Sequence, residues 1–390
     1  MNNTLQMNVF RKSIRLPAYL IAILALAAGC RKTHIDQQDL RNFMQVNLVS
    51  NTAKYSPVHM DGTLMNAWGL AWAPSGIAWV NSNGGGVSEV YTGEGALIPA
   101  RPLVNIPTAM DTTGGPATGI VFSGGKGFRL SNGGTANFIF DALDGILSGW
   151  NGAAHNNAIL IKDMSKTSSF TGLAIGSWGT KNLIYAADFK AGKIVVWDTG
   201  FAEVSLPFQD PNIPVGFAPF NIQAVGSWLY VTYAKVGPMG HDVSGPGNGF
   251  VDIFGMDGSF KTRFASMGWL NSPWGIIAAG DTFLDANDMG DDDDHGDDHS
   301  KSNNNGKGNN HTDVDSVILI GNFGDGRINV YSMKGLWLGQ LRSHNETIVI
   351  NGLWALSFAP STSTIDQTRL YFTAGPDGGK NGLFGYLKKQ

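Results

Sequence analysis

Six short segments of this sequence open alike and recur at nearly constant spacing: NAWGLAW (66–72), PATGIVF (116–122), FTGLAIG (170–176), PFNIQAV (219–225), SPWGIIA (272–278) and GLWALSF (352–358). Aligning Trp68, Thr118, Thr171, Phe220, Trp274 and Trp354 gives steps of 50, 53, 49, 54 and 80 residues, and the last falls to about 50 once the acidic tract 285–315 is set aside as an insertion. A repeat of that length, carrying several short apolar runs, matches the blades of a propeller, each of which buries its sheet faces only against its neighbours.

Each unit continues in the same way. A second run follows the opening (IAWVNS, KGFRLS, NLIYAAD, SWLYVTY, SVILIGN, TRLYFTA), then a turn and a third run (GGGVSEVY, GTANFIF, AGKIVVW, GNGFVDIF, GDGRINVY, KNGLFGY). Runs rich in Val, Ile, Tyr and Phe, bounded by Gly, Asn, Asp and Pro, are strands and hairpin turns. Fourth strands are expected at 102–106, 158–163, 205–208, 260–265 and 339–344. The sixth unit ends without one, while MQVNLVS (44–50) has no unit of its own. Pairing the two closes the ring and removes two open strand edges. The expected fold is therefore all-β, a six-bladed β-propeller of four-stranded blades over residues 44–387, closed by an N-terminal strand that completes the last blade. Composition agrees, since 52 glycines and only 15% charged residues in 390 favour short strands and tight turns over helices.

Stretches such as SPWGI, SVILIGNFGDGRINVYSMKG and NLIYAADFKAGKIVVWDTG resemble NHL-type propeller repeats. Over roughly 42–387 the chain is similar to an uncharacterised group of exported bacterial six-bladed propellers, through NAWGLAW, APFNIQAVGSWLYVTYAK, GPGNGFVDIFGMDG and GNFGDGRINVY. Some of that group end in a PEP-CTERM sorting tail, whereas this sequence ends in GYLKKQ. The resemblance implies architecture and no chemistry, because propellers host lectins, lyases, lactonases and scaffolds alike.

The first 29 residues read as an export signal: Arg11, Lys12 and Arg15 precede the apolar stretch 16–29, which leads into Cys30, the only cysteine. The expectation is a lipoprotein signal (1–29), lipidation of Cys30 and a tether over 30–43; an ordinary cleaved signal or an uncleaved anchor is the alternative. Arg31 and Lys32 supply no acidic surface-export tag, which places the protein on the periplasmic side of the outer membrane in preference to the cell surface. One cysteine permits no intrachain disulfide and no zinc-finger spacing. The net charge of −4 is the sum of −8 in the tract 285–315, +3 before Cys30 and +1 elsewhere. A nearly neutral body lacks the basic footprint that nucleic-acid binding needs.

Candidate sites follow from the repeat. Trp68, Thr118, Thr171, Phe220, Trp274 and Trp354 would ring one mouth of the channel, either as a stacking platform for a sugar or as packing between blades. Asn83, Asn132, Asp188 and Asn322 end second runs and suit turn-holding. Lactonase-type propellers instead gather carboxylates and amides on calcium, and the first runs here supply no Asp or Glu for that. The loop 235–249 carries the neighbours His241 and Asp242, a pair able to bind a metal or act as a base. In the acidic tract Asp285, Asn287 and Asp291 sit at calcium-loop positions, but Met289 and Gly296 stand where further oxygen ligands belong, and a frame through Asp291 and Asp293 fails likewise at Ser302. A solvated, self-repelling loop is the alternative, with His295, His299 and His311 as further ligands for a transition metal. HExxH, GxSxG and P-loop spacings are absent. The functional expectation is a monomeric, lipid-anchored binding or scaffold module for a carbohydrate, peptide or envelope protein; a calcium-dependent hydrolase or lyase of the lactonase-type class is the alternative.

Overall fold

The computed structural model describes Met1 and residues 39–101, 103–284 and 316–390. The chain divides into a unit spanning 1–34 and a compact unit spanning 35–390, and the description below concerns the second. The signal, Cys30 and the acidic tract with Asp285, Asn287, Asp291 and Asp293 lie outside the described residues.

The six repeat openings form the first strands of six antiparallel sheets: Ala67–Trp72, Ala117–Phe122, Phe170–Trp178, Phe217–Val225, Pro273–Ala279 and Leu353–Phe358. These strands touch one another in a closed cycle, so the sheets stand as blades around a central channel. Phe43–Ser50 pairs antiparallel with Leu383–Lys389 and closes the ring within the last blade, as the unpaired 44–50 segment requires. A short parallel strand, His59–Met60, extends that sheet by one.

Close approach of the first strands has a sequence cause. In blades one, two, three and five the residue after the register position is glycine, namely Gly69, Gly119, Gly172 and Gly275. A Cβ on Gly69 would run into Thr118 O, and one on Gly119 into the backbone N of Leu173. Backbone cannot move aside as a flexible side chain can, so Gly69→Ala is expected to cost about 2–3 kcal/mol, as overpacking does, read as a lowered melting temperature. Blade four places Asn221 at this position, and its Nδ2 donates to Trp274 O at 2.8 Å. Blades are thus stitched to their neighbours by polar contacts as well as by apolar faces.

Expectations change in three blades. In blade two, KGFRLS is not a strand; the second strand is Phe138–Ala142 and the third Ile146–Trp150, so GTANFIF belongs one strand earlier than its pattern indicated. Residues 128–136 make a small excursion in which Ala136 N donates to Phe128 O at 2.7 Å, while Phe128 and Leu130 bury between blades two and three. Their apolar character reflects burial without a ladder. Asn132 therefore lies in that excursion, bonded to Asn151, and does not end a strand. In blade three the expected fourth strand at 205–208 is absent, and only a bridge between Trp197 and Glu203 remains. Pro207, Pro211 and Pro214 deny this segment the donors a ladder needs. It is tied down instead by Asp210, which pairs with Arg263 of blade four; Arg263 also pairs with the buried Asp252. In blade five the fourth strand is Trp337–Gln340, and the rest of 339–344 turns into a hairpin of Arg342–Ser343 with Glu346–Thr347.

Candidate functional site

The aromatic register residues meet on the axis and fill it. Trp68 and Trp354 stack with centroids 3.5 Å apart, and Phe323 covers the other face of Trp354 at 3.9 Å. Trp274 meets both indoles edge-on, and Phe220 packs against Trp354 and Phe189. Pairs of this kind contribute about 0.5–1.5 kcal/mol each beyond area burial. Trp354 is sandwiched, so it offers a ligand an edge and no free face. The plug is pinned by its indole nitrogens: Trp274 Nε1 donates to Thr171 O at 2.7 Å and Trp354 Nε1 to Asn66 Oδ1 at 2.9 Å. Trp68 Nε1 is buried and without a partner.

Above the plug lies a cavity of about 730 Å³. Its walls come from the connections that enter the first strands and from the hairpins joining second to third strands, which is why residues of blades one to six converge there. Four register residues line it, Trp68, Thr171, Phe220 and Trp354, together with His241 and Asp242. Thr118 and Trp274 do not. Thr118 is fully buried, with Oγ1 2.8 Å from Asp141 Oδ1 and 2.9 Å from Phe170 O. Trp274 faces a constriction of about 30 Å³ below the plug.

The loop carrying His241 and Asp242 is a tight hairpin, closed by Gly237 N to His241 O at 2.7 Å and turned at Gly240 with φ 76°. It holds His241 in solvent and Asp242 half-buried, with Asp242 Oδ2 lacking a hydrogen-bond partner. Burial pushes the Asp242 carboxyl upward, against the opposing pull of nearby Ser272. A second carboxylate reaches the cavity that the repeat did not nominate. Asp144, at the turn between the second and third strands of blade two, has Oδ1 buried and unpaired, and burial again raises its pKa. Lys190, Ser165, Ser168 and Asn66 add donors and acceptors at the rim. The cavity thus combines an aromatic floor with two carboxyl side chains, an amide and several hydroxyls.

The residues expected to hold turns also tie their turns to other segments. Asp188 Oδ1 accepts from Ser169 N at 3.1 Å and Ala191 N at 3.0 Å, and Asn322 Oδ1 accepts from Asn271 N at 3.1 Å. Asn83 Nδ2 donates to Ala117 O of the next blade at 3.2 Å. Among the described residues, no group of three or more His, Cys, Asp or Glu is placed to hold a metal ion.

No protein-family model matches the chain. It is 28% identical over 360 residues to uncharacterized protein L690 of Acanthamoeba polyphaga mimivirus, covering 88% of this chain and 86% of that one. It is 29% identical over 363 residues to uncharacterized protein R648 of the same virus, covering 88% and 79%. Among solved structures, virginiamycin B lyase from Staphylococcus aureus superposes with a TM-score of 0.48 at 11% identity, over 89% of this chain and 99% of that one. A gluconolactonase from Xanthomonas campestris gives a TM-score of 0.44 at 14% identity, over 83% and 86%. Likenesses at this level carry no argument about chemistry.

Proposed function

We propose that the protein is a binding module that takes a small saccharide into the mouth cavity, and that it works outside the cytoplasm of a bacterium, held to the envelope by a lipid on Cys30. One observation carries the ligand reading: a cavity of about 730 Å³ sets the Asp144 and Asp242 carboxyls, the Asn66 amide and the Ser165 and Ser168 hydroxyls around an aromatic floor of Trp68, Phe220 and Trp354. A ligand rich in hydroxyls suits such a wall, its apolar side meeting the aromatic floor and its hydroxyls meeting the carboxyl, amide and hydroxyl groups around it. Apolar floor and sparse polar rim are the usual make-up of a small-molecule site. The cavity's carboxyls also favour a second reading, an acid–base hydrolase or lyase, since burial raises the pKa of both. Metal-dependent chemistry of the lactonase type finds no ligand set among the described residues; calcium enters this account only through the acidic tract 285–315.

A glycan array followed by calorimetry separates these readings. The binding account expects one saccharide class to be retained unchanged. It further expects Asp242→Asn to weaken that saccharide about tenfold, the worth of one charge-assisted hydrogen bond, with melting unaltered or slightly raised. Retention of no glycan, or equal affinity in the variant, counts against it; turnover of the bound sugar that Asp144→Asn abolishes supports the enzyme.

A further inference from the structure

The hairpin 322–328 that places Phe323 in the mouth cavity places Arg327 in a second depression, a groove of about 370 Å³ at the rim of blade five. Its wall is a pair of stacked indoles, Trp269 and Trp337, 4.9 Å apart and 13° from parallel. Trp269 is 53% exposed. An exposed Trp on a loose loop would carry no meaning, but this one is held from beneath. Trp269 O accepts from Asn322 Nδ2 at 2.8 Å and from Asn329 Nδ2 at 3.1 Å, and both asparagines are fully buried. Asn329 Oδ1 accepts in turn from Gln340 Nε2 at 3.0 Å, which fixes the strand bearing Trp337. The connection that presents Trp269 also includes two non-glycine residues in left-handed backbone, Met267 at φ 51° and Ser272 at φ 44°. Such strain persists where surrounding structure enforces it, and it gathers at functional sites. Two buried amides and two strained residues thus hold a large apolar ring in water.

The charges in the groove narrow the ligand. Arg327 is paired with Asp325 at 3.1 Å. Arg342 donates to Asn345 O at 2.8 and 3.1 Å and has no carboxylate partner among the described residues. The groove therefore presents one uncompensated guanidinium beside a flat indole face, with the Gln340 amide and the Thr347 hydroxyl alongside.

We propose that this groove binds a carboxylate-bearing saccharide, a uronic-acid residue of an acidic glycan. The sugar's apolar face lies on Trp269, its carboxylate on Arg342, and its hydroxyls on Gln340 and Thr347. Aromatic faces accept the C–H side of a sugar ring, and the guanidinium fork matches a carboxylate. One net cation suits one carboxylate per sugar, whereas a phosphodiester strand draws on many. An acidic peptide has the charge without the flat apolar face. This site stands apart from the mouth cavity and does not rest on the reading given for it.

Calorimetry on the full chain with trigalacturonate tests it, against maltotriose, a hexaglutamate peptide and a thymidine hexanucleotide. Trigalacturonate is expected to bind, to weaken as salt rises, and to lose about tenfold in affinity in Trp269→Ala and in Arg342→Gln, while Asp242→Asn in the mouth leaves it unchanged. Trp269 is on the surface and Arg342 bonds only a nearby carbonyl, so both variants keep the parent's melting temperature; if one does not, the other decides. The proposal is overturned if trigalacturonate fails to bind the parent protein, binds both folded variants equally well, or is matched by the peptide or the nucleotide.

Discussion

A chain beginning at Asn51 is expected to lose cooperative thermal unfolding and to self-associate, because it lacks the strand that closes the ring. Phe43–Ser50 supplies the fourth strand of the last blade along Leu383–Lys389. It also buries Phe43, Leu48 and Val49, each no more than 2% exposed. Three such side chains are worth about 1.5–3 kcal/mol apiece, so their removal takes away much of a typical domain's net stability of about 5–15 kcal/mol. The edge left behind is Leu383–Lys389, largely apolar and open to strand addition. Circular dichroism melts and size-exclusion chromatography read both effects, and a synthetic peptide spanning 39–50 should restore the transition. A truncated chain that melts as a monomer at the parental temperature would show that the ring does not depend on this closure.

Asp141→Asn is expected to raise stability at pH 8 and to flatten its fall between acid and neutral pH. Asp141 sits on the second strand of blade two, wholly buried, with Gly119 N donating to Oδ1 at 2.5 Å and Oδ2 unpaired. Burial raises its pKa to about 7 from the ordinary 3.8. The folded protein therefore holds a proton that the unfolded chain has released, so this group's contribution is full below the lower value, declines as pH rises and levels off above the higher one. Glu89, buried beside Thr63 and raised to about 7 from 4.5, adds to the same slope. For Asp141 the loss by pH 8 is on the order of 2–4 kcal/mol. Asparagine keeps the acceptor, and the amide Asn81 at the equivalent position of blade one already donates to Thr118 O at 3.0 Å and Gly119 O at 3.1 Å. Denaturant melts from pH 4 to pH 8 check this; an unchanged slope in the variant would mean that Asp141 is ionised throughout.

The repeat made most of this architecture legible. Six openings at one spacing located the first strands, and the orphan at 44–50 pointed to the closure, because an unpaired edge is a cost a sequence must resolve. Blade two was misread since Phe128 and Leu130 are apolar like strand residues, while the better signal, Asp144-Gly145 between two apolar runs, is a tight-turn dipeptide; Gly145 takes φ 78°. That single slip hid both Asp144 in the cavity and Asp141 beside the axis. The register residues could be named but not sorted: nothing local to Trp68 or Trp274 says which of them lines the cavity, because that depends on how six rings from six blades share one axis. His241 and Asp242 reached the cavity because the insertion lengthens a hairpin already on that face. Trp269 fell between repeats, where no period marks it.

The most direct test of the ligand reading watches the indole N–H of Trp68. Among eleven tryptophans, its resonance is assigned by its loss in Trp68→Phe, and spectra of 15N-labelled protein are recorded with each saccharide retained on the array. The account predicts a saturable shift of this signal, at the ligand concentration where calorimetry sees binding, and the same shift in Asp242→Asn only at about tenfold higher concentration. A saccharide that binds while the Trp68 signal stays fixed would place the site elsewhere and contradict it.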